Sequence, residues 1–115
     1  MRFPVFLLMK DSREVVKYLS IYAMQADLEV IDIENEEYSA WDADGVALEL
    51  GTQKPVWISL EEKGADLQSL VAALRAFAAS QGIELQKQPS SAAEIETSFD
   101  SIVPNKRYIK GLPKK

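Results

Sequence analysis

No part of the chain limits its choice of fold more than Tyr38 to Leu50, where two short apolar stretches flank Asp44-Gly45. Asp-Gly tolerates positive φ at both central positions of a tight turn, and the twist of such a turn matches that of the strands it joins. A two-residue turn there pairs Ala43 with Val46, Trp41 with Leu48 and Ser39 with Leu50. Trp41, Val46, Leu48 and Leu50 then share one core-facing side, and Ala40, Asp42, Ala47 and Glu49 share the other, as in an antiparallel sheet with one solvated face.

The flanking segments extend that sheet. Phe3 to Met9 is nearly continuous in apolar residues, Lys10-Asp11-Ser12-Arg13 supplies a turn, and Glu14 to Leu19 resumes β-branched and aromatic character, which reads as a hairpin. Apolar residues on both sides of the first strand place it centrally or cover it on both faces. Pro55 to Glu61 alternates with Val56, Ile58 and Leu60 inward, leaving Trp57 on the opposite face.

Three helices are expected. Ser20 is an N-cap for a short one in which Ile21, Met24, Leu28 and Ile31 form a stripe, after which Glu34 to Glu37 leads as a polar connection into the Tyr38 strand. Asp66 caps a longer one carrying Leu67, Leu70, Val71, Leu74, Phe77 and Ala78 and ending before Gly82. Ile83 to Leu85 reads as a brief edge strand. Ser91 to Glu94 has the form of a capping box, and Ile95, Phe99 and Ile102 make a narrow stripe that predicts peripheral docking. The result is an α+β fold in two layers, a mainly antiparallel sheet of about five strands with two to three helices in the order ββαβββα(β)α. Residues 1–103 form one domain and 104–115 a basic, flexible tail. A chain of 115 residues affords one core.

Charge is unevenly distributed. The net charge is −5. From Tyr18 to Gln53 there is no Lys or Arg but there are nine acids: Asp27, Glu29, Asp32, Glu34, Glu36, Glu37, Asp42, Asp44 and Glu49. After Pro104 the sign reverses with Lys106, Arg107, Lys110, Lys114 and Lys115. An acidic surface attracts basic partners and repels nucleic acid.

The chain contains neither His nor Cys. That excludes imidazole-based triads, thiolate nucleophiles and disulfides, and it fits a cytoplasmic protein. The N-terminal apolar run is too short to span a membrane and lacks a signal-peptide cleavage pattern. Asp42-Ala43-Asp44-Gly45 resembles the start of a calcium loop, but its glycine comes two residues early and the twelfth position is Gln53 rather than Glu. Clustered acids at Asp32, Glu34, Glu36 and Glu37 are compatible with a metal, yet adjacent carboxylates in a polar connection are ordinarily solvated. No glycine-rich phosphate loop is present, and no cofactor is expected.

These observations favour a non-catalytic interaction module, inhibitor- or immunity-like in charge style, that binds a protein partner or a second copy of itself. Trp57, Tyr38, Asp32, Glu34, Glu36 and Glu37 are the expected interaction surface. A small-molecule-binding or carboxylate-dependent enzyme domain is the alternative, and it requires an acid such as Asp32 or Glu49 to be buried with a raised pKa.

Overall fold

The computed structural model describes residues 1–53, 57–85, 88–102 and 108–112, without the side chains of Gln53 and Trp57. In chain order the elements are β1 (Val5–Met9), β2 (Val15–Tyr18), α1 (Ile21–Asp27), α2 (Val30–Glu34), β3 (Tyr38–Trp41), β4 (Val46–Gln53), β5 (Trp57–Ala65), α3 (Leu67–Ser80), α4 (Ala92–Ile102) and β6 (Ile109–Lys110). The strands make one sheet in the order β5-β4-β3-β1-β2-β6. Every pairing is antiparallel except that of β6 with β2.

The α+β class and the mainly antiparallel sheet follow from the consecutive strands, which short turns can join only in antiparallel fashion. The sheet has six strands and four helices. Helices also cover both of its faces, which adds a layer to the expected two. β1 lies in the interior of the sheet, and its alternation feeds both sides. Phe6 joins Val15, Trp41, Leu74, Phe77 and Phe99 beneath α3 and α4. Val5 and Leu7 join Tyr18, Met24, Ile33 and Leu48 beneath α1 and α2.

Ser20 caps α1 as expected, its Oγ accepting from Ala23 N–H at 3.1 Å. The helix stops at Asp27, and a separate turn of helix, α2, buries Ile33 and turns Ile31 outward. The expected stripe through Ile31 is therefore broken. α4 is not peripheral: Ile95, Phe99 and Ile102 are fully buried. A narrow stripe suffices because Lys17 of β2 reaches over Phe99 and bonds to Glu96 and Asp100 on the helix's outer side. Ile83 to Leu85 forms no strand and instead packs Ile83 and Leu85 against that core.

The sheet is strongly curled. α1, seven residues and about 10 Å long, packs against β2 and β6 and also against β5. In a flat sheet β2 and β5 would lie about 19 Å apart, four strand spacings, beyond the reach of one short helix. The β4–β5 arm therefore bends over the α1 face, where Ile58 and Leu48 complete the second core. A register shift between Ala47 and Leu48, opposite Lys63, gives the arm its extra twist.

Of the basic segment after Pro104, Tyr108 to Leu112 are described. Ile109 and Lys110 pair with Lys17 and Tyr18, and Tyr108 stacks edge-on against Phe77 with ring centroids 5.2 Å apart. Lys106, Arg107, Lys114 and Lys115 lie outside the described residues.

Candidate functional site

The β3–β4 connection sets the geometry of the site. Asp42 N–H donates to Val46 C=O at 2.9 Å and Gly45 N–H donates to Asp42 C=O at 3.1 Å, closing a three-residue loop rather than a two-residue one. Only Gly45 in this loop has positive φ, +82°. That combination, a turn followed by one left-handed glycine, is the longer hairpin connection. The Asp42 side chain favours it, because Oδ1 accepts from Asp44 N–H at 2.8 Å and Val46 N–H at 3.0 Å. Gly45 also abuts α3, where a Cβ would come within 2.9 Å of Leu67 Cδ1.

One added loop residue moves the register by one. Trp41 pairs with Ala47 and Ala40 with Leu48, so Trp41 faces α3 and α4 while Leu48 faces α1 and α2. The expected pairing of Trp41 with Leu48 is thereby corrected. The shift is tolerated because both faces are buried and either side accepts an apolar residue.

After these two pairs the β3–β4 ladder ends. β3 remains on β1 as far as Tyr38, and β4 remains on β5 as far as Gln53. A cleft of about 490 Å³ lies beside the end of this ladder, near α2, which packs on β4. Tyr38, Ser39 and Trp41 line one wall, Leu48 and Leu50 the other, and Lys10, Glu36 and Asp66 stand at its margins.

Around it the carboxylates divide into two groups. Tyr38 O–H donates to Asp32 Oδ2 at 3.1 Å, and burial together with this bond raises the phenol pKa. The Glu37 carboxyl is pushed up because it shares a hydrogen bond with Asp32. No third acid joins that pair as a metal-binding group among the described residues. Glu49 is exposed and is held by Lys63 at 2.9 Å, so it does not occupy the buried environment that general-base chemistry requires. Asp27 accepts from Tyr18 O–H at 2.6 Å, Asp44 pairs with Arg2 at 2.8 Å, and Asp42 is buried in its loop. Six of the nine acids are thus occupied within the fold. Glu29, Glu34 and Glu36 are exposed and no described cation pairs with them.

Of the six residues expected at an interaction surface, Asp32, Glu37 and Tyr38 come together at the α2–β3 corner. Glu36 lies on the cleft margin, Glu34 ends α2 on the solvent side, and the Trp57 ring lies outside the described residues. Two surface residues were not anticipated. Tyr22 is 73% exposed and Ile31 60%. Each sits two residues from the buried anchor of its own helix, Met24 and Ile33, which at about 100° per residue is nearly the opposite side. That spacing is a signal the sequence carried once α1 and α2 are separated. Lys17, 4% exposed, was also missed, because a lysine within a strand carries no mark of the two acids that meet it from α4.

No helix among the described residues is long and apolar enough to cross a membrane. No protein-family model matches the chain, and comparisons with characterised proteins and with solved structures find no match either.

Proposed function

We propose that this chain is a non-catalytic binding module that receives a basic protein partner on the outward side of α1 and α2. One observation carries this reading: Tyr22 and Ile31, the two most exposed large apolar side chains among the described residues, both project from this helical layer. They lie in a stretch that contains no Lys or Arg, beside Glu29 and Glu34, which no described cation neutralises. Exposed aromatic and aliphatic anchors inside a charged rim are the usual anatomy of a protein interface. The rim's sign selects the partner, because two copies would bring acid against acid whereas a basic surface would be steered in. The same sign disfavours nucleic acid.

Partner capture by wild type, Ile31→Arg and an exposed control, Glu84→Arg, at low and high ionic strength tests the proposal. The partner should be retained by wild type and the control at low salt, lost at high salt, and lost by Ile31→Arg throughout. A captured protein held equally by Ile31→Arg overturns it, as does concentration-dependent dimerisation that Ile31→Arg abolishes.

A further inference from the structure

We propose that the hollow between α3 and the adjoining ends of β1 and β3 binds a small organic carboxylate with an apolar body. Strand alternation places this hollow. Phe6 pairs with Trp41 and Leu8 with Ser39, and residues directly opposite in an antiparallel pair point to the same side of the sheet. Ser39 therefore shares the α3 side with Leu8 and Trp41. Leu74 and Phe77 join Phe6 in the core on this side. Beside Leu8 and Ser39, by contrast, the helix offers Ala72, Ala73 and Ala76, whose single methyl groups leave space unfilled. The hollow measures about 350 Å³, within the range of about 300–1,000 Å³ found for small-molecule sites. From Ser69 to Ala76 it follows two turns of α3, about 10 Å.

Its chemistry selects the ligand. Leu8, Trp41 and the three alanines make most of the lining apolar, Ser39 and Ser69 add hydroxyls, and Arg13 brings the one charge. No described carboxylate pairs with Arg13. Glu14, next to it in the chain, instead accepts from Tyr108 O–H at 2.6 Å. A guanidinium meets a carboxylate through two parallel N–H bonds, which an amide or an alcohol cannot match. Mostly apolar walls with a few convergent polar groups are the usual make-up of a ligand pocket. The 490 Å³ cleft is different, because Glu36, Glu49 and Asp66 line it and disfavour an anion.

The backbone at Arg13 supports the same assignment. Its φ is +64°, in the left-handed region that glycine and asparagine occupy at lower cost. The turn is held by backbone bonds, Arg13 N–H donating to Met9 C=O at 2.8 Å and Met9 N–H to Glu14 C=O at 2.9 Å. Nothing in that turn calls for an arginine, whereas the hollow beside it gives the side chain a use. A bound carboxylate joins the Arg13 guanidinium, and its apolar body removes Leu8 and the methyls of Ala72 and Ala76 from water.

This site lies on the opposite side of the sheet from α1 and α2 and does not depend on their outward face. The full chain is titrated at constant ionic strength with octanoate, octanamide and acetate, and binding is read from amide chemical shifts. Octanoate should saturate and shift the Leu8, Ser39, Ser69 and Ala72 amides, with octanamide and acetate each at least about tenfold weaker. Arg13→Gln should bring octanoate down to the affinity of octanamide, and Ala76→Leu, which fills the hollow, should weaken both. Should Arg13→Gln fail to fold, Arg13→Gly, suited to the left-handed backbone, takes its place. Octanamide or acetate binding as well as octanoate, a preference for octanoate that survives the loss of Arg13, absence of saturation at millimolar octanoate, or shifts confined to the Tyr22 and Ile31 region would overturn the hollow as a carboxylate site.

Discussion

Replacing Asp42 by alanine tests the account of the β3–β4 register, on which the cleft depends. Asp42 is 2% exposed. Its Oδ1 accepts two backbone N–H groups, from Asp44 and Val46, and its Oδ2 accepts a longer bond from Arg2 N–H at 3.3 Å. Hydrogen bonds to a charged acceptor contribute about 1.5–3 kcal/mol each, and donors left without a partner add a desolvation cost. The two short bonds dominate. Because water can partly replace the carboxylate in a surface loop, we expect Asp42→Ala to cost about 2–4 kcal/mol. A chain of this length has a total stability of about 6–17 kcal/mol, so the loss is a large share. Asp42→Asn keeps an oxygen for Asp44 and Val46 but turns an amide group toward Arg2 N–H, and should cost about 1 kcal/mol. Urea unfolding followed by tryptophan fluorescence reads both, with a midpoint lowered by about 1–2 M for alanine at m values typical of small proteins. A loss under about 0.5 kcal/mol for Asp42→Ala, or equal losses for the two variants, would mean that Gly45 and the flanking strands fix the register without the carboxylate.

Three further outcomes are expected. Phe99 lies between Phe6 and Phe77 at centroid distances of 5.6 and 6.5 Å, so Phe99→Ala should cost about 3–5 kcal/mol in urea unfolding; a loss near 1 kcal/mol would return α4 to the periphery. Lys17 is buried along its stem, while its partners Glu96 and Asp100 are 43% and 49% exposed and so remain hydrated without it; Lys17→Met should stay within about 1 kcal/mol of wild type and Lys17→Ala should lose about 2–3 kcal/mol, a gap whose absence would assign the residue's effect to charge rather than packing. Glu37 has a raised pKa because of its hydrogen bond with Asp32, so between its ordinary and raised values the folded chain holds the proton more tightly and stability falls as pH rises through that window. Thermal melts across pH should therefore show Glu37→Gln gaining on wild type as pH rises out of the carboxyl range, by a modest and salt-sensitive margin; a pH-independent difference would show that the pair does not share a proton.

What was legible in the sequence was what repeats locally. The wide stripe from Leu67 to Ala78 and the Ser20 and Ser91 caps mark α1, α3 and α4, since their signals lie within one or two helical turns. α2 is five residues long, too short for any periodicity to register, and its absorption into α1 is what put Ile31 inside. β6 pairs just two residues with a strand some ninety positions earlier, and no local pattern encodes a partner so remote. The six-strand count was missed for that reason. At the site, Tyr38 and Glu36 were readable as polar and aromatic residues entering a strand. The cleft they border was not, because it depends on a one-residue change in loop length, a bulge in the next hairpin, and Asp66 arriving from beyond β5.

Charge read along a chain is likewise not charge on a surface. The nine acids between Tyr18 and Gln53 suggest a face far more negative than the folded molecule presents. Asp42 and Asp27 are engaged by hydrogen bonds from backbone and phenol, Asp44 by Arg2 of the N-terminal segment and Glu49 by Lys63 of the neighbouring strand, and Asp32 with Glu37 by each other and Tyr38. What remains is Glu29, Glu34 and Glu36 around one short helix. This narrowing strengthens a binding role rather than diluting it. A diffuse acidic surface would attract any basic protein and select none, whereas Glu29 and Glu34 on the short helix that carries an exposed isoleucine join an electrostatic preference to an apolar contact that requires a matching shape. The salt dependence of partner capture should accordingly be that of a few charges and not of nine, and Ile31→Arg should abolish capture even at low salt, where those charges act most strongly.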